Sequence, residues 1–282
     1  MASLMMIDGR FVESSDGRYI DIENPANRTT IAQTPRATEA DVDVAVLRAA
    51  AAFETWKLVA PRDRGRLLSK IAAAVEAAIE SIARTVALET GNAIRTQARP
   101  EVRSAVDVFR YFGGVAGEVK GETVPLGEHV LSYTRREPIG VVGGIVPWNA
   151  PVVLGTLKIA MSVAAGNTLV LKAAEDAPLG LLRVAELCNE HLPAGVVNLL
   201  TATARSAARR WRAIRWCASC RSPGSTEVGK LIMHAAARSS DRPLWPCTRR
   251  GRVDPTRTRH TETGQTRRPA TRSAETARTP PR

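Results

Sequence analysis

One stretch, residues 137–171 (EPIGVVGGIVPWNAPVVLGTLKIAMSVAAGNTLVL), constrains the fold more than any other part of this 282-residue chain. Residues 139–146 are a short apolar run rich in β-branched side chains, which suits a strand buried on both faces of a parallel sheet. Pro147-Trp148-Asn149-Ala150-Pro151 interrupts the run, and the fixed φ of Pro151 suits the first turn of a helix. Residues 152–165 are apolar all round, with Gly166 and Asn167 as natural stop residues. Residues 168–171 read as a second strand, ending at Lys172. Strand, helix and strand on short connections make a βαβ crossover. The expectation is therefore a doubly wound α/β fold, a Rossmann-like parallel sheet with flanking helices.

Open α/β sheets take their ligands at the carboxyl ends of their strands, and Asn149 stands at such an end. Its amide can donate to a developing oxyanion, although Asn is equally favoured as a helix cap. Lys172 and Glu175 follow the second strand, and a cation and a carboxylate at that spacing can grip vicinal hydroxyls or simply form a solvated ion pair.

Taken together, Pro147-Trp148-Asn149, Lys158, Ala164-Ala165-Gly166-Asn167-Thr168 and Lys172-Ala173-Ala174-Glu175 resemble the aldehyde dehydrogenase superfamily. The likeness runs in register over residues 6–200 and returns at Gly224-Ser225-Thr226-Glu227-Val228-Gly229. Ala173 departs from the family, which usually has Pro there. The resemblance implies NAD-dependent oxidation of an aldehyde to a carboxylic acid, with a small-molecule aldehyde as partner. It implies that Asn149 binds the thiohemiacetal oxyanion, and that Lys172 and Glu175 hold the adenosine ribose. A carboxylate at the latter position disfavours a 2′-phosphate, so NAD is expected rather than NADP. It further implies that Ile145, Val146, Pro147 and Trp148 line the cofactor site mainly by shape and backbone. Gly224, Ser225 and Val228 match the loop that opens a helix beside the pyrophosphate and adenine. Neither glycine cluster is a G-x-G-x-x-G.

The two catalytic motifs of the family, one for the base and one for the nucleophile, are missing. No Glu-Leu-Gly-Gly occurs, and Gly264-Gln265 is followed by Thr266 and Arg267 rather than by a Gly-Gln-x-Cys nucleophile. Covalent aldehyde oxidation needs that Cys and a Glu base. The chain as written is expected to be catalytically dead.

The rest of the chain reads as scaffold. Residues 7–12 and 18–22 alternate apolar and polar around Ser14–Gly17, which predicts an N-terminal β-hairpin. Thr38 is placed to cap a helix from Glu39 to Trp56, Pro61 opens a longer helix through Leu88, and a third spans residues 99–115 with a break at Gly113-Gly114. Trp56, Phe109, Tyr111 and Phe112 are read as core. Residues 130–137 have strand character; in the resembled family this segment projects and pairs between subunits, which implies a homo-oligomer. An α/β unit at residues 179–200 completes a cofactor-binding domain of residues 1–202.

The formal charge of +12 is segregated. Residues 1–200 hold 21 Lys+Arg against 23 Asp+Glu, whereas residues 201–282 hold 19 against 5. The basicity therefore says nothing about the folded body. Residues 203–223 are Arg-rich, residues 224–237 return to an ordinary cofactor loop and helix, and residues 238–282 carry 12 Arg with almost nothing to bury. That last composition predicts a disordered basic tail. Either it is a genuine phosphate-contacting arm, or residues 203–223 and 238–282 are out-of-frame translation of GC-rich coding DNA. The second reading is favoured: no Lys follows Lys230, and residues 203–223 fill the length that the family places there.

The four cysteines make no disulfide framework, and Cys217-Ala218-Ser219-Cys220 lacks the second ligand pair of a zinc site, so no metal is expected. Cys188 reads as a small buried apolar residue. The most apolar window is broken by Pro147, Asn149, Pro151, Lys158 and Asn167, and a membrane span needs about 20 nearly uninterrupted apolar residues. The first ten residues show no secretory pattern. A cytoplasmic protein is expected, without a membrane partner.

Overall fold

The computed structural model describes residues 3–202 and 217–221, which lie within one compact unit, Met1–Pro246. The expectations for residues 224–237, for a disordered tail and for Gly224, Ser225 and Val228 fall outside the described residues.

Two hairpins form where one was expected. β1 (Met5–Ile7) and β2 (Arg10–Val12) pair across Asp8-Gly9, whose φ angles of 55° and 70° make the turn that matches strand twist. This local closure leaves β3 (Tyr19–Asn24) to pair with β4 (Thr29–Pro35) instead. The intervening residues 14–17 are a connector, anchored where the buried Ser14 hydroxyl donates to Arg36 O at 2.7 Å.

α1 (Glu39–Trp56) starts at the expected Thr38, which forms a capping box with Asp41. The expected long helix is two, α2 (Pro61–Ala77) and α3 (Ile79–Thr90), because Ala78 leaves helical geometry at φ −100°, ψ 6°. The bend lets α2 lie against α4 (Arg99–Val115) while α3 reaches a helix further along the chain, α6 (Leu179–Asn189). A short π-helical turn, Ile94–Ala98, leads into α4. That helix runs through Gly113-Gly114 without the expected break. Its glycine serves packing: a Cβ on Gly65 of α2 would lie 2.4 Å from Gly113 O, so the crossing requires hydrogen there. Trp56 and Phe109 are core as expected, but Tyr111 is 64% exposed. Two residues beyond Phe109 it points to the opposite face of α4, edge-on to Phe112.

β5 (Thr123–Pro125) and β6 (Leu131–Tyr133) pair into a two-stranded ribbon that is exposed along most of its length. The expected crossover then follows as β7 (Val141–Ile145), α5 (Pro151–Ala164), β8 (Thr168–Ala173), α6 (Leu179–Asn189) and β9 (Val197–Thr201). β7, β8 and β9 are parallel, and β1 closes antiparallel on β9. A further strand, β10 (Cys217–Arg221), lies parallel on the other flank of β7. The sequence gives no strand signal at that segment; a sheet edge recruits backbone groups whatever side chains they carry. The sheet order is β10-β7-β8-β9-β1-β2.

Strand alternation splits the core into two layers. Val142, Val146, Leu169, Leu171, Val197 and Leu199 face α2–α6, while Val141, Ile145, Val170 and Leu200 face α1. Among the described residues, no helix is long and apolar enough to cross a membrane.

Candidate functional site

The chain runs β7 to β8 to β9 in one direction across the sheet and then returns to β10 on the far side of β7. The order reverses at β7, and a doubly wound sheet opens its ligand crevice at the carboxyl ends beside such a point. Two loops leave the sheet at this end, residues 146–150 after β7 and residues 174–178 after β8.

The first loop carries the Pro-Trp-Asn turn. Val146 N donates to Lys172 O at 2.9 Å, extending the β7–β8 ladder by one residue. The side chains of Ile145 and Val146 are buried in opposite core layers, which leaves only their backbone for contact with a ligand. Pro147 is half-buried, and Trp148 and Asn149 are exposed. The cap reading of Asn149 fails. Ala150 is the N-cap residue of α5 and supplies no side-chain hydrogen bond. Glu101 of α4 does this work: its Oε1 accepts from Val152 N at 2.8 Å and Val153 N at 3.2 Å. Asn92 Nδ2 also donates to Asn149 O at 3.4 Å. The exposed Asn149 amide makes no hydrogen bond to the described residues.

The second loop carries Glu175 and Asp176, just after Lys172 of the strand. Lys172 is no solvated loop residue: it is the fifth residue of β8, and its side chain is only 2% exposed. Its Nζ is paired with the Glu175 carboxylate, which is one-third exposed. Burial pushes the Lys172 ammonium pKa down, and Glu175 pulls it back up. Asp176 is pushed up by burial and then by the charge of Glu175. The pair sets a buried cation against a partly exposed carboxylate at the carboxyl end of β8.

α6 begins as α5 does, without a side-chain cap of its own, at Pro178. Glu89 of α3 takes that place, accepting from Leu179 N at 2.6 Å and Gly180 N at 2.9 Å. Burial pushes the Glu89 carboxyl up to about 8; its two N–H donors oppose this, and the charge of Glu101 adds to it. Glu101 is raised as well, again chiefly by burial. Sequence reasoning missed both glutamates. The signal was indirect: helices opening at Ala150 and Pro178 leave orphan N–H groups that something must satisfy. One chemical consequence is immediate. Helix N-termini are ready anion sites, and here both are already filled by carboxylates.

Behind β7, the buried Lys158 of α5 lines a cavity of about 80 Å³ with Ser162 and Asn167. Cys188 is fully buried in α6, its thiol pKa raised by burial, in keeping with a packing role. Among the described residues, no cluster of His, Cys, Asp and Glu has a metal-holding arrangement.

This geometry has known counterparts. The family model described as the aldehyde dehydrogenase family matches residues 11–245. The chain belongs to the aldehyde dehydrogenase family. An aldehyde dehydrogenase of Emericella nidulans is 40% identical over 238 residues, covering 84% of this chain and 48% of that relative. The solved NAD+ complex of the Bacillus cereus aldehyde dehydrogenase is similar with a TM-score of 0.84 and 34% identity, over 87% of this chain and 50% of that one. An E. coli NADP-dependent enzyme is similar with a TM-score of 0.83 and 27% identity, over 86% and 50%. The chain thus spans about half the length of the family members it matches.

Proposed function

We propose that this chain is the cofactor-binding portion of an NAD-dependent aldehyde dehydrogenase whose intact relatives oxidise an aldehyde to a carboxylic acid. The observation that carries the reading is the placement of two loops at the reversal point of one sheet. One presents the unpaired amide of Asn149, the other the Lys172–Glu175 pair. In this reading Asn149 donates to the oxyanion of the thiohemiacetal, where a preorganised donor lowers the barrier to attack. Lys172 and Glu175 hold the two hydroxyls of the adenosine ribose, and the backbone of residues 145–148 shapes the wall beside them. The residues fit a dinucleotide because they supply a cation and a carboxylate where a ribose diol would lie. The pyrophosphate cannot use the filled N-termini of α5 and α6. In this reading its anchor is Gly224 and Ser225, with Val228 beside the adenine, as the family resemblance implies.

The charge of Glu175 favours NAD, since a 2′-phosphate there meets a carboxylate. The chain itself is assigned no turnover, because neither the nucleophilic Cys nor the base Glu is in place. Residues 203–223 and 238–282 are assigned to out-of-frame translation, and nucleic-acid contact is not part of the reading. The same proposal takes the exposed β5–β6 ribbon as a homo-oligomer contact and the cytoplasm as the compartment.

Calorimetric titration of the full chain with NAD and NADP tests this reading. NAD is expected to saturate and NADP to bind at least about tenfold more weakly, a difference of about 1.4 kcal/mol. Glu175→Gln is expected to close that gap. No NADH is expected on adding an aldehyde. Failure of the chain to bind either nucleotide sinks the proposal, and turnover above background sinks the claim that the chain is inactive.

A further inference from the structure

Both ligand loops end in a helix that lacks a cap of its own, and in both cases the missing acceptor is a glutamate from outside the sheet. Glu101 reaches from α4 to Val152 N and Val153 N, directly after the Pro-Trp-Asn turn. Glu89 reaches from α3 to Leu179 N and Gly180 N, directly after the Lys172–Asp176 loop. A Ser or Asp within each loop would cap these helices locally, but a local cap would not tie the loop to anything else. A carboxylate on a separate helix does. It makes the position of each loop depend on where α3 and α4 sit. Asn92, between those two helices, adds a third tie by donating to Asn149 O.

We propose that Glu89 and Glu101 are positioning residues, two carboxylate clamps that hold the two cofactor-facing loops in register with each other through the α3–α4 layer. The use of those loops rests on the reading of the site given above; the clamping itself does not. Each clamp fixes backbone N–H groups at the exit of its loop and not at the entrance, which the sheet ladder already fixes. With both ends tied, the Asn149 amide and the Lys172–Glu175 pair keep a constant separation. With one exit released, that loop drifts while the other stays.

Loop-resolved hydrogen exchange on the full chain, with Glu101→Ala, Glu89→Ala and the Gln variants that retain an acceptor oxygen, decides the point. Glu101→Ala is expected to speed exchange of residues 147–153 at least about tenfold and leave residues 174–180 unchanged; Glu89→Ala is expected to do the converse. Glu101→Gln is expected to lie close to the unsubstituted chain, because one oxygen of Glu101 serves both donors. Glu89→Gln keeps an acceptor for only one of its two donors and is expected to lie between the unsubstituted chain and Glu89→Ala. The Gln variants carry the test if an Ala variant does not fold. A merely structural role predicts that either variant loosens both loops together as the thermal midpoint falls. That result, or unchanged exchange in both loops, overturns the proposal. NAD titration of the same variants separates the two levels. About tenfold weaker binding in each Ala variant, well below its midpoint, supports positioning. If the unsubstituted chain takes no NAD, the reading of the site falls while the exchange pattern still decides the clamps.

Discussion

At the scale of single residues, the charged groups that matter most are the ones with least access to water. Lys172 and Glu89 are buried and Glu101 is partly buried, and each has a specific partner: Glu175 for the first, pairs of backbone N–H groups for the others. A charge without such a partner would be neutralised or expelled. Glu89 carries a consequence for pH. Its carboxyl is raised in the folded state from an ordinary 4.5 to about 8, so folding favours the protonated form. The stability it contributes is complete below its ordinary value and is lost as pH rises through the folded value. The slope from this one group reaches about 1.4 kcal/mol per pH unit. Glu89→Gln is expected to flatten the decline in urea-unfolding free energy between those two pH values. An unchanged slope in that variant would place the proton elsewhere. Sequence reading identified Lys172 and Glu175 through spacing and resemblance, but it left Glu89 as the end of a helix. Nothing local marks a residue whose partners, Leu179 and Gly180, lie ninety positions away.

At the scale of elements, the helices meet through glycine. Gly65 and Gly113 let α2 and α4 cross at backbone distance, and Gly155 leaves room in α5 for the Leu181 side chain of α6. A Cβ on Gly155 would stand 2.4 and 2.7 Å from the two methyl carbons of Leu181, itself fully buried. Gly155→Ala is expected to cost about 1–3 kcal/mol, read as a lowered urea midpoint with unchanged m value. A neutral result would mean that α6 can shift outward. Composition alone suggested the opposite role for such residues. Gly113-Gly114 reads as a break because glycine lowers helix propensity by about 1 kcal/mol. The packing of α4 against α2 outweighs that, and the helix continues. Likewise Ala78 carries no breaking signal, yet the chain bends there because α3 gains contact with α6.

At the scale of the whole molecule, the β5–β6 ribbon stands out as surface that a monomer has no use for. Leu131 is 79% exposed, Tyr133 67% and Leu126 61%. A two-stranded ribbon is marginal alone, and open edges invite pairing. The chain is expected to self-associate, and Leu131→Lys with Tyr133→Lys is expected to shift it toward monomer in sedimentation velocity at equal concentration. A chain that is monomeric without these changes removes the oligomer proposal. By itself, the sequence determined the parallel α/β core. It also determined the turn that carries Asn149, the Lys172–Glu175 pair and the family, because these reside in runs of adjacent residues whose periodicity and turn chemistry are local. Only the tertiary structure decided where the helices bend, which strands pair at the N-terminus and that β10 joins the edge of β7. It also decided that two distant glutamates, not Asn149, cap the helices of the site. Those choices depend on which surfaces and backbone donors come together once the chain is compact, and no window of sequence contains both members of such a pair.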